Sequence, residues 1–284
     1  MFTLILENHL GQRIRLTQNP NYAVTDVDGL NPPKANINVG ENANFDGATS
    51  TSARLNTRQI VITVKPLNNI EENRIALYTF VKNKKNIKVF FANSTRNVYI
   101  AGYVSACEID LFKQSESIQI TILCPDPYFR SAYASEADFS NTFPLFQFVM
   151  DIEEGGMEFS RFEETPELSI INYGDVETGA IIQINATGSA SNPVIVNEST
   201  QQIMRFNITL VDGDILTINT NKGKKSITLL HNGTETNALS CLDMSGSVEW
   251  LSLESGQNVL SFSADSGEEN LNCFLMYDNL FEGV

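Results

Sequence analysis

Histidine, tryptophan and cysteine are scarce in this chain. It has 284 residues, with two histidines, one tryptophan and four cysteines. The histidines limit nucleophilic chemistry, because a serine or cysteine nucleophile usually needs a histidine base within hydrogen-bond reach. His9 lies in the first predicted hairpin and His231 directly precedes an Asn-Gly turn, and no Gly-x-Ser-x-Gly motif occurs. Both read as turn residues. Cys107, Cys124, Cys241 and Cys273 form no Cys-x-x-Cys pair, so neither a disulfide framework nor a zinc site is expected. Dinucleotide-binding glycine repeats, phosphate-binding loops and EF-hand loops are also missing. No apolar run approaches the roughly 20 residues of a spanning helix. Glu7 and His9 interrupt the apolar start Met1–Leu6, so no secretory leader is expected and synthesis in a cytoplasm is the default.

Acidic residues are plentiful but doubled rather than spaced. Glu153-Glu154, Glu163-Glu164 and Glu268-Glu269 are adjacent pairs, and Asp212 and Asp214 flank a turn glycine. Neighbours on a strand point to opposite faces, so such doublets do not make the facing carboxylates of a glycosidase. The expectation is a protein with no catalytic, cofactor-binding or metal-binding residues.

What is present points to strands. Hydrophobic residues make up 42% and charged residues 19%, an ordinary globular balance over a length that suits two domains. The net charge of −15 is unevenly held. Residues 1–135 carry 14 Lys/Arg against 11 Asp/Glu, and residues 136–284 carry 5 against 23. The boundary is placed there, giving an N-terminal domain over 1–135 and a C-terminal domain over 136–284. An acidic second half repels phosphates, so no sequence-specific nucleic-acid binding is expected.

In the first half, Phe2–Leu6, Arg13–Leu16, Tyr22–Val27, Arg58–Lys65, Ile87–Phe91, Val98–Tyr103, Cys107–Phe112 and Ile118–Cys124 read as strands. One helix is predicted near 70–82, with Asn69 and Glu72 as a capping-box variant and Ile75, Leu77, Tyr78, Phe80 and Val81 as its apolar face. Residues 28–57 are polar and without clear periodicity, too long for an idle loop. They read as an extended arm docking on something else, with Pro32, Pro33, Phe45 and Leu55 as candidate oligomer-interface residues. The second half reads as about ten short strands, among them Phe143–Met150, Ile203–Val211 and Val248–Leu253, in a jelly-roll-like sandwich, with serial hairpins at Asp212-Gly-Asp214, Asn221-Lys-Gly223 and Asn232-Gly233. Trp250 reads as core.

The order of these elements resembles a known family. Ile100-Ala-Gly-Tyr-Val-Ser-Ala-Cys-Glu-Ile109, Ser117–Phe129, Asn172-Tyr-Gly-Asp-Val-Glu177, Asn192–Asn197, Gly213–Thr220 and Leu253–Asn258 together resemble the distal tail proteins of long-tailed siphophages. The resemblance spans essentially the whole chain. It implies a structural hub at the virion tail tip, made in the host bacterial cytoplasm. The N-terminal domain would form a homohexameric ring through a β-rich fold with one helix. The C-terminal domain would be a galectin-like β-sandwich. Implied partners are further copies of the chain, the major tail tube protein, a tail-associated fibre protein and receptor-binding proteins, with no membrane. The alternative is a carbohydrate-binding β-sandwich aiding adhesion to the host surface, although no inserted carbohydrate-binding module is visible.

Overall fold

The computed structural model describes residues 2–41, 46–109, 116–143, 161–164, 167–245 and 249–284. The chain is mainly β and divides into two compact units, Met1–Ala132 with Leu280–Val284, and Tyr133–Asn279. The last five residues thus count with the first unit, whereas the charge boundary put them in the second.

In chain order the first unit runs β1 (Thr3–Asn8), β2 (Arg13–Arg15), β3 (Tyr22–Asp28), β4 (Ala35–Glu41), β5 (Ala48–Leu55), β6 (Arg58–Pro66), α1 (Ile70–Phe80), β7 (Asn86–Ala92), β8 (Asn97–Ile109), β9 (Ile118–Cys124) and β10 (Phe129–Ser131). Seven strands form an antiparallel path, β2-β1-β7-β8-β9-β6-β3, and β10 joins β8 outside it. Alternation decides the faces. Leu4 and Leu6, Ile60, Ile62 and Val64, Val89 and Phe91, and Ile118, Ile120 and Ile122 all point into one core, with period two along each strand. In β6 the other face carries Gln59, Val61, Thr63 and Lys65, half-buried or exposed. Only one face of this strand is therefore sealed.

Two predicted strands are one. Val98–Tyr103 and Cys107–Phe112 were expected separately, but β8 is continuous from Asn97 to Ile109; residues 110–112 fall outside the described residues. A bulge between Val104 and Ala106 shifts the register against β9. The extra residue moves the inward phase from even to odd numbers, from Val98, Ile100 and Val104 to Cys107 and Ile109. A bulge has this effect because it places two residues opposite one, and on the page it looks like an interruption.

The helix also differs from its predicted form. Asn69 adopts φ 45° and makes no side-chain cap. Its amide instead donates to Glu72 Oε2 at 3.2 Å. With no first-turn amide bonded to its side chain, the capping box does not form. Leu77 and Val81 are buried and Ile75 is exposed, which makes the buried stripe narrower than the apolar residues suggest.

The second unit continues with β11 (Ser135–Asp138), β12 (Ser140–Phe143), β13 (Arg161–Glu164), β14 (Glu167–Asn172), β15 (Ala180–Ala186), β16 (Ala190–Ser191), β17 (Val194–Asn197), β18 (Gln202–Arg205), β19 (Thr209–Leu210), β20 (Ile215–Asn219), β21 (Ser226–His231), β22 (Thr234–Asn237), β23 (Gly256–Ser263) and β24 (Leu271–Tyr277). A six-stranded sheet, β11-β24-β15-β20-β21-β22, and a four-stranded sheet, β14-β23-β17-β18, share one hydrophobic cluster. Ile182, Ile184, Leu216, Ile218, Cys273 and Leu275 come from the first sheet and Ile170, Ile195, Met204, Leu260 and Phe262 from the second. This is a two-layer sandwich, as face-to-face sheets require. Phe139 meets Phe262 edge-on at 5.2 Å.

Of the three serial hairpins, two form. The Asn221–Gly223 turn joins the paired strands β20 and β21, and Asn232-Gly233, both at positive φ, joins β21 to β22. The turn at 212–214 does not join paired strands. The predicted strand Ile203–Val211 breaks into β18, which pairs with β17, and β19, which pairs with β16. Between them Phe206 is fully buried and its amide bonds back to Pro193 O at 2.9 Å, so the chain crosses between the sandwich layers here. The predicted strand Val248–Leu253 is irregular over 249–253, with one bridge from Leu253 to Thr178. Predicted strand Phe143–Met150 lies outside the described residues beyond Phe143, which ends β12. The final strand, β25 (Leu280–Phe281), pairs with β10 in the first unit.

Candidate assembly surface

The segment that lacked periodicity is a β-hairpin. β4 and β5 pair from Ala35↔Leu55 to Glu41↔Ala48, with a bulge after Asn38, and form a sheet of their own. Alternation sorts the residues. Ala35, Ile37 and Val39 share one face, with Leu55 and Ala53 across from Ala35 and Ile37. Asn36 and Asn38 take the other face, where Asn38 Nδ2 donates to Ser52 Oγ at 2.9 Å. Ile37 and Val39 are 58% and 59% exposed. A two-stranded hairpin open to water on both faces is marginal alone. An apolar face on such a hairpin is a surface that becomes stable when covered.

The foot of the arm is rigid. Arg58, the first residue after the arm, is 3% exposed and ties four parts of the unit together. Its Nη1 donates to Gly29 O at 2.6 Å and Asn31 O at 2.8 Å, its Nε to Pro127 O at 2.6 Å and its Nη2 to Glu282 O at 2.5 Å. The guanidinium lies 4.6 Å from the Phe129 ring centroid. Burial lowers its pKa, opposed by the nearby Cys124 and Glu282, yet a guanidinium stays charged in proteins. Its fork geometry reaches separate carbonyls in a way no other side chain does. Gly29 stands at φ +89°, and a Cβ there would sit 2.1 Å from Gln59 O, so the chain turns into the arm only with glycine.

Three of the four expected interface residues lie near the arm's foot, where Leu55 pairs with Ala35. Pro32 is exposed and Pro33 half-buried at the arm's foot. Leu55 ends β5, half-buried. Phe45 lies outside the described residues. Ile37 and Val39, exposed on the apolar face, were not among them, although Asn36-Ile-Asn-Val39 carries the alternation of a half-buried strand.

In the second unit the family-like motifs prove to be structural. Three buried asparagines staple the 252–258 turn and its neighbours. Asn172 Nδ2 donates to Val176 O and Leu253 O, at 3.0 and 3.1 Å. Asn197 Nδ2 reaches Ser252 O at 2.8 Å. Asn258, fully buried, donates to Glu254 O and Gly256 O and accepts from Glu254 N, at 2.8, 3.1 and 3.0 Å. Asn258→Ala is expected to cost this unit about 2 kcal/mol, because buried backbone groups lose their partners. Urea unfolding followed by the fluorescence of Trp250, the one tryptophan, measures it.

The groups that could suggest chemistry are also accounted for. His231 Nδ1 lies 2.6 Å from Asp214 Oδ1, the usual geometry of a catalytic base. Its Nε2, however, is occupied by Asn232 Nδ2 at 2.9 Å, and Asp214 Oδ2 accepts from Val211 N at 3.0 Å. The pair closes two turns. Burial pushes the thiol of Cys107 up to about 11 and that of Cys124 to about 12. Both stay neutral at physiological pH, and a neutral thiol is a poor nucleophile. A hollow of about 340 Å³ lined by Tyr78, Val81, Lys82, Asn83 and Cys107 is open to solvent. No three His, Cys, Asp or Glu side chains among the described residues are grouped to hold a metal ion, and no helix among them is long and apolar enough to cross a membrane. Trp250 packs half-buried against the sandwich core, with Lys225 Nζ 5.3 Å from its ring centroid.

Residues 173–281 match the family model of the siphovirus-type tail component, C-terminal domain. Among solved structures the chain is similar to the Dit protein of phage SPP1, described as a paradigm of the hub adsorption apparatus in phages infecting Gram-positive hosts. The two share 13% identity and a TM-score of 0.68, with 99% of each chain covered. It is also similar to a chain of the phage P2 baseplate in its activated conformation with calcium, at 12% identity, a TM-score of 0.50 and 98% of each chain. The corresponding strontium structure gives 12% identity, a TM-score of 0.52 and the same coverage. No curated protein matches the chain by sequence.

Proposed function

From a match of residues 173–281 to the siphovirus-type tail component model, on a chain whose fold is similar to that of a phage hub protein, we propose that this protein is the structural hub of a long non-contractile phage tail tip. Copies of the first unit close into a ring of six, each arm lying against the next copy. Contacts of this head-to-tail kind close when the rotation between copies completes a circle. The ring joins the tail tube to a tail-associated fibre protein, and the second unit offers docking surface to receptor-binding proteins. No catalytic role is assigned to any residue.

The observation that carries this reading is the β4–β5 arm, a hairpin with Ile37 and Val39 exposed on one face. Burying such a face against a neighbour removes apolar surface from water, worth roughly 25 cal/mol per Å² before association costs. The strongly acidic second half, 5 Lys/Arg against 23 Asp/Glu over 136–284, keeps the sandwiches apart around the ring, since like charges repel within a Debye length of about 8 Å.

The test is the solution mass of the purified protein by light scattering across a concentration series. A closed particle near six times the 31.5 kDa chain mass is expected. Removing residues 30–56 is expected to abolish it while both units stay folded, because no strand of the main sheets is lost. A particle of one chain mass at every concentration counts against closure by this chain alone.

A further inference from the structure

The residues that follow the second unit are built into the foot of the arm. β25 pairs with β10 through Phe129↔Phe281 and Arg130↔Leu280, and Phe281 and Val284 pack against the first unit's core. Glu282 O receives Nη2 of the buried Arg58, whose Nη1 holds Gly29 O and Asn31 O. Gly283 O receives Arg96 Nη1, and the Arg96 guanidinium lies 4.6 Å from the Phe281 ring centroid. Val284 N donates to Leu30 O at 3.2 Å. Gly283 lies so close to the arm's first residues that a Cβ on it would sit 2.9 Å from Pro32 Cδ. Four consecutive backbone positions, 281 to 284, thus touch or pair with what holds residues 29–32.

We infer that Leu280–Val284 act as a latch that sets the direction of the arm, with Arg58 and Arg96 as its positioning residues. The reasoning is mechanical. The described residues of the hairpin are mostly exposed on both faces, so its direction is set at its two feet. The foot at Leu55 continues into Arg58, which β6 holds in the sheet. The foot at 29–34 has no strand partner in the main sheet. What holds it is the Arg58 guanidinium on one side and the latch on the other. A bond from Val284 N to Leu30 O and the wedge of Gly283 against Pro32 leave that foot one path. Without the latch the arm keeps its hairpin but samples a cone of directions, and a neighbouring copy must then bear the entropy of ordering it.

The inference rests on the arm being the contact between copies only for its consequence, and its test separates the two. Nitroxides at Ser52 on the arm and Gln119 on β9, both exposed, report the arm's direction as a distance distribution by pulsed electron resonance, alongside the light-scattering mass. Replacing residues 280–284 by Gly and Ser is expected to broaden that distribution about twofold, as local ordering is lost without global unfolding. Arg96→Gln, which changes no residue of the β10–β25 pair, is expected to broaden it less. Circular dichroism checks that each variant folds, and Arg96→Gln serves if the five-residue replacement does not. Broadening together with loss of the large particle supports both the latch and the arm contact. Broadening with the particle intact supports the latch and removes the arm from the ring contact. An unchanged distribution in the folded variants overturns the latch.

Discussion

Arg58→Leu is expected to lower the stability of the first unit by about 4 kcal/mol, a loss reserved for changes that strand buried polar groups. Two effects compete. Removing a buried guanidinium relieves its desolvation, and replacing a buried ion pair by apolar groups is often neutral. Here the partners are backbone carbonyls of Gly29, Asn31, Pro127 and Glu282, which no substitution can remove. Each carbonyl left dry costs about 1 kcal/mol or more, and leucine leaves part of the space over Phe129 empty. The cost of stranded acceptors therefore wins. The measurement is urea unfolding read by hydrogen exchange in β6 and β9 for the first unit and by Trp250 fluorescence for the second. The first transition should move and the second should not. A loss below about 1 kcal/mol would show that water reaches those carbonyls.

The double change Ile37→Asp with Val39→Asp should weaken association about 100-fold, equivalent to roughly 3 kcal/mol for each contact between copies. Two carboxylates would have to leave water to enter an apolar contact, which disfavours it beyond the lost burial. The fold should hold, because both positions are more than half exposed and exposed substitutions usually stay within about 0.5 kcal/mol. Sedimentation across a concentration range, beside thermal unfolding of the same samples, separates the outcomes. Unchanged association in a folded double variant would remove this face from the interface.

The β content and most strands were legible because one buried face imposes period two, as in Leu4 and Leu6 or Ile60, Ile62 and Val64. The type I′ turn at Asn232-Gly233 was legible because two successive positive φ angles restrict residue type. Where the reading failed, a long-range or steric effect prevailed over the local pattern. The bulge at Val104/Ala106 turned one strand into an apparent pair. Phe206, buried between layers, broke what composition alone would run together as Ile203–Val211. The arm was seen as a special segment, but its strands were not, since small and polar residues hide a weak alternation. The role of Arg58 was beyond the sequence altogether. Its acceptors lie 27, 29, 69 and 224 positions away, and a lone arginine at a strand start carries no mark of them.

The pairing of β10 with β25 has an architectural consequence. Viewed from the first unit's sheet, residues 132–279 occupy the place of a loop joining two antiparallel neighbours, whose backbones stand roughly 4.8 Å apart. The whole sandwich is therefore a graft on a hairpin tip, a position where insertions are tolerated best. Every strand of the main sheet keeps its partner whatever hangs from that tip, from a two-residue turn to a different β-sandwich. The first unit's sheet would thus close on itself with the sandwich replaced by a short turn, since β10 and β25 already pair as neighbours.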